Sequence, residues 1–211
     1  MKGILNLMRK RPQAAAPESG SSAFFQTAFL LRDSEGGSQP TVPWEARAVE
    51  VDAHRLADAK GGAMLRALWA QDPHMRCLDG DAMDRLVHFF DYAVVAADRE
   101  VTRQDEYGNF LMVLLSGSVA VDRVLASGER LRMSEARPGE VLGEMSLLDG
   151  GRRFSSCLTL TECRMAVLSA QALDDMLNQQ PRLAASLVAL LARKLSLRLR
   201  AVGEHLGGRR G

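Results

Sequence analysis

At 211 residues the chain is long enough for one well-filled domain with appendages and short for two. Its 46% hydrophobic and 25% charged residues exclude a disordered or fibrous chain, and 5% aromatics advertise no stacking platform for single-stranded nucleic acid. The formal net charge of +1 hides basic ends on an acidic middle: Lys2, Arg9, Lys10 and Arg11 open the chain without an acid, and Arg193, Lys194, Arg198, Arg200, Arg209 and Arg210 close it against Glu204 alone.

The opening MKGILNLMRKRPQ has too short an apolar stretch before its charges for a signal peptide, and no apolar run approaches the roughly 20 residues of a membrane span. A weak contact of this basic start with an anionic membrane is its functional alternative to a solvated end. Cys77, Cys157 and Cys163 are odd in number, without a CxxC pair or histidines at ligand spacing, so neither a disulfide framework nor a metal site is expected and a reducing cytoplasm fits. The stretches QAAAPESGSS and DSEGGSQPTVP are turn-formers and read as linkers, flanking the apolar segment AFFQTAFLLR, Ala23 to Arg32. Residues 1–60 are therefore expected to be an extension, largely linker, whose apolar segment packs back onto the domain or docks on a partner.

From Gly61 apolar residues fall at helical spacing, first Met64, Leu65, Leu68 and Trp69, then Met83, Leu86, Val87 and Phe90, which predicts two short helices. After Asp91 come the short runs AVVAA, NFLMVLLSG, SVAVDRV, ERLRMSEA, SCLTLTEC and RMAVLS, separated by turn residues, which predict an antiparallel sandwich or barrel. SAQALDDMLNQQ then reads as a helix, and Pro181 opens a long one that ends at Gly207 and Gly208. The expected plan is a roll with lead-in helices over residues 61–180 and a C-terminal helix with basic tail over 181–211.

Within the roll, GEVLGEMSLLDGGRRFSSC concentrates polar and flexible residues. Gly143-Glu144-Met145-Ser146 reads as a turn into a short helix, whose free N–H groups favour an anion, and Arg152 and Arg153 add donor forks suited to phosphate oxygens. Glu144 accepts only, so it suits the hydroxyls of a sugar. Unaided, these residues make a phosphate-and-sugar cradle of modest specificity, against the simpler reading of a surface turn with solvated charges.

GEVLGEMSLLDGGRRFSSCLTLTEC resembles the phosphate-binding cassette of the cyclic nucleotide-binding domain family, and NFLMVLLSGSVAV is similar to that family's strand-Gly-strand signature around Gly117. The resemblance runs from Asp81 to about Leu206 and implies an α+β, mainly β fold: an antiparallel β jelly-roll barrel with flanking helices and a long C-terminal helix. It implies that Glu144 bonds the ribose 2′-hydroxyl, that Arg153 meets the cyclic phosphate, and that backbone N–H groups near Met145 and Ser146 complete the cradle. Gly143, Glu144, Met145, Ser146, Arg152, Arg153, Phe154 and Ser155 are the candidate ligand-binding residues, with no catalytic residue and no cofactor.

The sequence departs from the family pattern in three places: Leu142 stands for the usual Phe, Arg152 for Pro, and Phe154 for a small residue. A ring at Phe154 is expected to fill part of the base pocket or turn under the roll, and it cannot hydrogen-bond a guanine. On the C-terminal helix Arg193, Lys194 and Arg198 are candidate lid residues. The heptad series Ala185, Val188, Ala192, Leu195, Leu199, Val202 and Leu206 predicts a parallel homodimer seam, while Leu187, Leu190 and Leu191 can face the roll.

The family's activator branch continues into a helix-turn-helix domain where this sequence has GGRRG, so sequence-specific DNA binding is not expected. No nucleophile, base or carboxylate array suggests an enzyme. The expected function is a stand-alone cytoplasmic cyclic-nucleotide receptor, with cAMP as ligand, that signals to an unidentified effector protein. Its alternatives are a member of the fold that has lost its ligand and acts as an interaction module, or one that takes a cyclic dinucleotide through Arg152 and Arg153 together.

Overall fold

In the computed structural model, which describes residues 23–34, 40–74 and 78–207, the apolar run Phe110–Ser116 is the strand around which the others assemble. It is buried on both faces, and antiparallel partners flank it on both sides. The strands are β1 (Thr41–Val42), β2 (His54–Arg55), β3 (Asp91–Val95), β4 (Glu100–Thr102), β5 (Tyr107–Gly108), β6 (Phe110–Ser116), β7 (Val119–Val124), β8 (Arg130–Ala136), β9 (Val141–Leu142), β10 (Ser156–Thr159) and β11 (Cys163–Ser169). The helices are α1 (Phe24–Ser34), α2 (Trp44–Glu50), α3 (Asp58–Gln71), α4 (Gly80–Leu86), α5 (Glu144–Asp149), α6 (Ala170–Gln179) and α7 (Pro181–Gly207).

Five strands in the order β2-β3-β11-β6-β9 and four in the order β4-β10-β7-β8 form two antiparallel sheets, while β1 joins β5 in parallel. The period of two along β6 divides its residues between two cores. Met112 and Leu114 meet Val101, Val119, Ala136 and Cys157 of the other sheet inside the roll. Leu111, Val113 and Leu115 face outward, where α3 supplies Leu65 and Trp69, α6 Leu173 and Met176, and α7 Leu183, Leu187, Leu190 and Leu191. The molecule is thus an α+β jelly roll, built from facing antiparallel sheets rather than a closed barrel and carrying helices on one outer face.

Local signals set the helix starts. Asp79 caps α4 by accepting from the Ala82 N–H at 2.7 Å, and Ser169 caps α6 by accepting from Ala172 at 3.1 Å. The inward face of α7 ends at Leu191; Ala185, Ala192, Leu199 and Val202 of the heptad series lie exposed, with Val188 and Leu195 half-buried.

Segments that the sequence reading assigns to the extension contribute to this packing. In α1, Phe25 and Phe29 enter the outer core, and the Asp174 carboxylate of α6 accepts from the backbone N–H groups of Phe25 and Gln26 at 2.9 and 2.8 Å. Thr41 and Val42 pair with Tyr107 and Gly108, and Trp44 of α2 packs edge-on against Phe110 with ring centroids 5.5 Å apart. Arg47, 1% exposed, ties α2 to the roll through an ion pair with Glu106 and also pairs with Glu50 of its own helix. Residues ahead of Gly61, in α1 and in Thr41–Glu50, therefore pack against the rest of the fold. The basic opening with Lys2, Arg9, Lys10 and Arg11, the tail arginines Arg209 and Arg210, and Cys77 lie outside the described residues. Among the described residues, no helix is long and apolar enough to cross a membrane.

Candidate functional site

The polar stretch folds as β9, the six-residue helix α5 and the lead into β10. Gly143 and Gly150 bracket α5 with φ of 78° and 67°, left-handed angles that an L side chain adopts only with strain. Glu144 and Ser146 are buried and Met145 is exposed.

Arg153 turns into the roll and is 3% exposed. Its Nη1 donates to the Gly143 carbonyl and its Nη2 to the Phe110 carbonyl, each at 2.8 Å, and its guanidinium lies 4.4 Å from the centre of the Phe110 ring. Two glycines make room for it. A Cβ on Gly108 would stand 2.5 Å from Nη2, and one on Gly143 would overlap Nη1 outright. Burial holds the guanidinium down to a pKa of about 10, still charged at neutral pH. Among the described residues no carboxylate lies within ion-pair distance of it, so the cation rests on neutral carbonyls and a ring face. A cation in that setting is costly unless an anion joins it.

The acceptor end is closed by the C-terminal helix. Arg198 of α7 donates from Nη1 to Glu144 Oε1 at 2.5 Å and from Nη2 to the Val141 carbonyl at 3.0 Å. One turn earlier Lys194 donates to Asp72, at the end of α3, also at 2.5 Å. Although burial alone would raise the Asp72 pKa, the Lys194 hydrogen bond and charge bring it below the ordinary carboxylate value. Of the three lid candidates, Lys194 and Arg198 thus reach the body, while Arg193 is exposed.

Arg152 and Phe154 flank Arg153 but point the other way, as alternate residues of an extended segment do. Arg152 is exposed and lies 5.1 Å from the centre of the Tyr107 ring. Phe154 does not turn under the roll, one of the two placements expected from the sequence. Its ring is 44% exposed beneath the Arg123 guanidinium, 4.1 Å from the ring centre, and Arg123 also donates to the Phe154 carbonyl. The reason is that Arg123, on the neighbouring β7, offers the ring a cation outside while Arg153 takes the inside. Ser155 is half-buried, and its carbonyl accepts from the Thr102 hydroxyl at 3.4 Å.

The structure therefore brings Gly143, Glu144, Arg153 and Arg198 to one neighbourhood, ties Lys194 to Asp72, and turns Arg152 and Phe154 away from Arg153. Sequence reasoning passed over Phe110, Gly108 and Val141, which supply the ring, the space and the carbonyl. Only the glycine in the YGNF turn offered a signal, as a break in a strand pattern.

Residues 93–180 match the family model described as Cyclic nucleotide-binding domain. The Cyclic AMP receptor protein of Thermus thermophilus is 28% identical over 123 residues, covering 58% of this chain and 57% of that protein. A CRP-like cAMP-activated global transcriptional regulator of Mycobacterium tuberculosis is 32% identical over 95 residues, covering 45% of this chain and 42% of that one. The chain spans about half the length of these curated relatives. In fold it resembles a cyclic nucleotide-binding domain from Methylobacillus flagellatus, with a TM-score of 0.66 and 22% identity over 76% of this chain and 90% of that chain. With the jelly roll, the glycine-bracketed α5 and the arginine behind it in that order, this chain carries a domain of the cyclic nucleotide-binding family over residues 93–180.

Proposed function

We propose that this chain is a cyclic-nucleotide receptor, with cAMP as its ligand, and that it passes the signal to a protein partner through α7 and the N-terminal segments. The observation that carries this reading is Arg153: a buried guanidinium held by neutral carbonyls beside the acceptor-only Glu144. A cyclic phosphate supplies an anion for the guanidinium, and a ribose hydroxyl is a donor that the acceptor-only Glu144 can take. Phe154, lying outside under Arg123, leaves the interior to the ligand. The exposed Ala185, Ala192, Leu199 and Val202 favour a homodimer along α7, with small residues allowing close approach. The reading is of a sensor, not an enzyme, acting in the cytoplasm.

A second reading has its own support. The Arg153 donors named above already have carbonyl acceptors, and Glu144 already has Arg198. A fold that has lost its ligand and serves as an interaction module looks like this too. Calorimetry of the full chain with cAMP, cGMP and a cyclic dinucleotide separates the readings. Saturable heat with cAMP that R153A and the milder R153K abolish or weaken supports the receptor, and no heat with any of the three at millimolar concentration overturns it. Stronger binding of the dinucleotide, sensitive to R152A, would replace cAMP as the ligand.

A further inference from the structure

We infer that the segment 41–50 is a working part of the binding site, with Trp44 a positioning residue that acts on Arg153 through Phe110. This rests on the receptor reading above and adds to that site residues outside the family match at 93–180. Arg153 is gripped at three alternate positions of the chain. Glu106 accepts its backbone N–H on the carbonyl at 2.7 Å, Gly108 leaves room for Nη2, and Phe110 gives Nη2 a carbonyl and the guanidinium a ring face. The segment 41–50 meets each of those three residues. Arg47 pairs with the Glu106 carboxylate, Val42 with Gly108 in the β1–β5 ladder, and Trp44 with the Phe110 ring, edge-on at 5.5 Å.

The sheet itself holds this end of β6 on one side only. β11 pairs with Phe110 through Ser169, while β9 pairs with Met112 and Val113 and stops short of Phe110, the first residue of the strand. Trp44, 5% exposed, shares the inner core with Phe110 and with Leu142, whose neighbour Gly143 accepts from the other guanidinium arm. The Trp44 contact fixes the Phe110 ring and with it the face on which the guanidinium rests. Loss of the indole opens a space into which the Phe110 ring can turn. A buried fork recognises a phosphate by aim as well as by charge, so a guanidinium whose ring support has shifted keeps its charge and loses its aim. Arg47 secures the other end of the grip, because its guanidinium spans Glu50 of α2 and Glu106.

The test compares the wild-type full chain with W44L, W44F and R47K, and with L173A, which opens the outer core and not the inner core that holds Trp44. Calorimetry reads cAMP affinity at a temperature where every variant is folded, and amide hydrogen exchange is followed over residues 105–110 and 152–156 without ligand. Positioning predicts that W44L, which loses the ring, binds cAMP about 5- to 20-fold more weakly and that W44F stays within about 3-fold of wild type. R47K, which keeps a charge and loses the fork, should fall between them. L173A should bind as wild type does, and in an R153K background W44L should cost less than about 2-fold, because the aim it serves is already lost. Exchange over both stretches should be faster in W44L than in L173A. Wild-type affinity in W44L, an equal loss in L173A, or a full W44L penalty on top of R153K overturns the inference and leaves the receptor reading standing. If W44L does not fold, R47K decides, and wild-type affinity there overturns the inference. If the wild type binds no cyclic nucleotide, the receptor reading falls and the exchange arm alone judges the hold on Arg153; exchange in W44L no faster than in L173A then removes that as well.

Discussion

Replacing Gly143 with alanine tests whether the buried guanidinium organises the cassette. The new Cβ would meet Arg153 Nη1 head-on and stand 3.3 Å from the Phe110 carbonyl oxygen, at a backbone angle of φ 78°. The left-handed angle alone costs about 1–2 kcal/mol for an L residue. Displacing Arg153 forfeits at least one charge-assisted hydrogen bond in a dry setting, about 1.5–3 kcal/mol. Together the loss is about 2.5–5 kcal/mol, and at about 2–4 °C per kcal/mol for a chain of this size the melting temperature should fall by roughly 5–20 °C. Gly139 provides the control, with φ of 94° and no atom within 4 Å of its would-be Cβ, so G139A carries the backbone cost only. Thermal unfolding followed by circular dichroism on both variants isolates the difference. A G143A melting temperature within 2 °C of that of G139A would refute the claim that space for Arg153 is what this glycine provides.

Three further outcomes follow from the same contacts. Removing the Asp174 carboxylate, as in D174A, should leave the N–H groups of Phe25 and Gln26 without their acceptor and cost about 1–2 kcal/mol, seen as faster exchange or proteolysis around α1 and a lower melting temperature. The Asp72 pKa is lowered on folding from 3.8, so this group contributes stability above that pH and loses it as the pH falls through its lower folded value. D72N should accordingly be less stable than wild type at neutral pH, and the gap should close in acid denaturation. F154S removes an exposed ring and its contact with Arg123, so it should lower stability by no more than about 1 kcal/mol and leave cAMP affinity within about 3-fold of wild type; a large gain in affinity would restore the plug.

The long strands were legible because their residues alternate or run apolar: β3, β6, β7, β8, β10 and β11 fall on the six runs read from the sequence. Short β1, β2, β5 and β9 were not, since two residues carry no period. The place of α2 was hidden for a different reason. Trp44 and Arg47 find their partners at Phe110 and Glu106, about 60 residues on, and nothing local announces them. In the cassette, the types and order of Gly143, Glu144 and Arg153 were readable, while their present partners were not. Arg198 reaches Glu144 across 54 residues of chain, and the direction of Phe154 was decided by Arg123 on another strand. Residue chemistry marks what a site can bind, and tertiary packing decides what occupies each donor and acceptor.

On the receptor reading, one ligand brings a phosphate to Arg153 and a ribose hydroxyl to Glu144. Competitive titration of the full chain with cAMP, 2′-deoxy-cAMP and 5′-AMP addresses both ends at once. Loss of the 2′-hydroxyl should weaken binding about 10-fold or more, the penalty should disappear in E144A, and opening the cyclic phosphate should weaken binding too. Equal affinity for cAMP and its 2′-deoxy analogue, or an unchanged penalty in E144A, would contradict it.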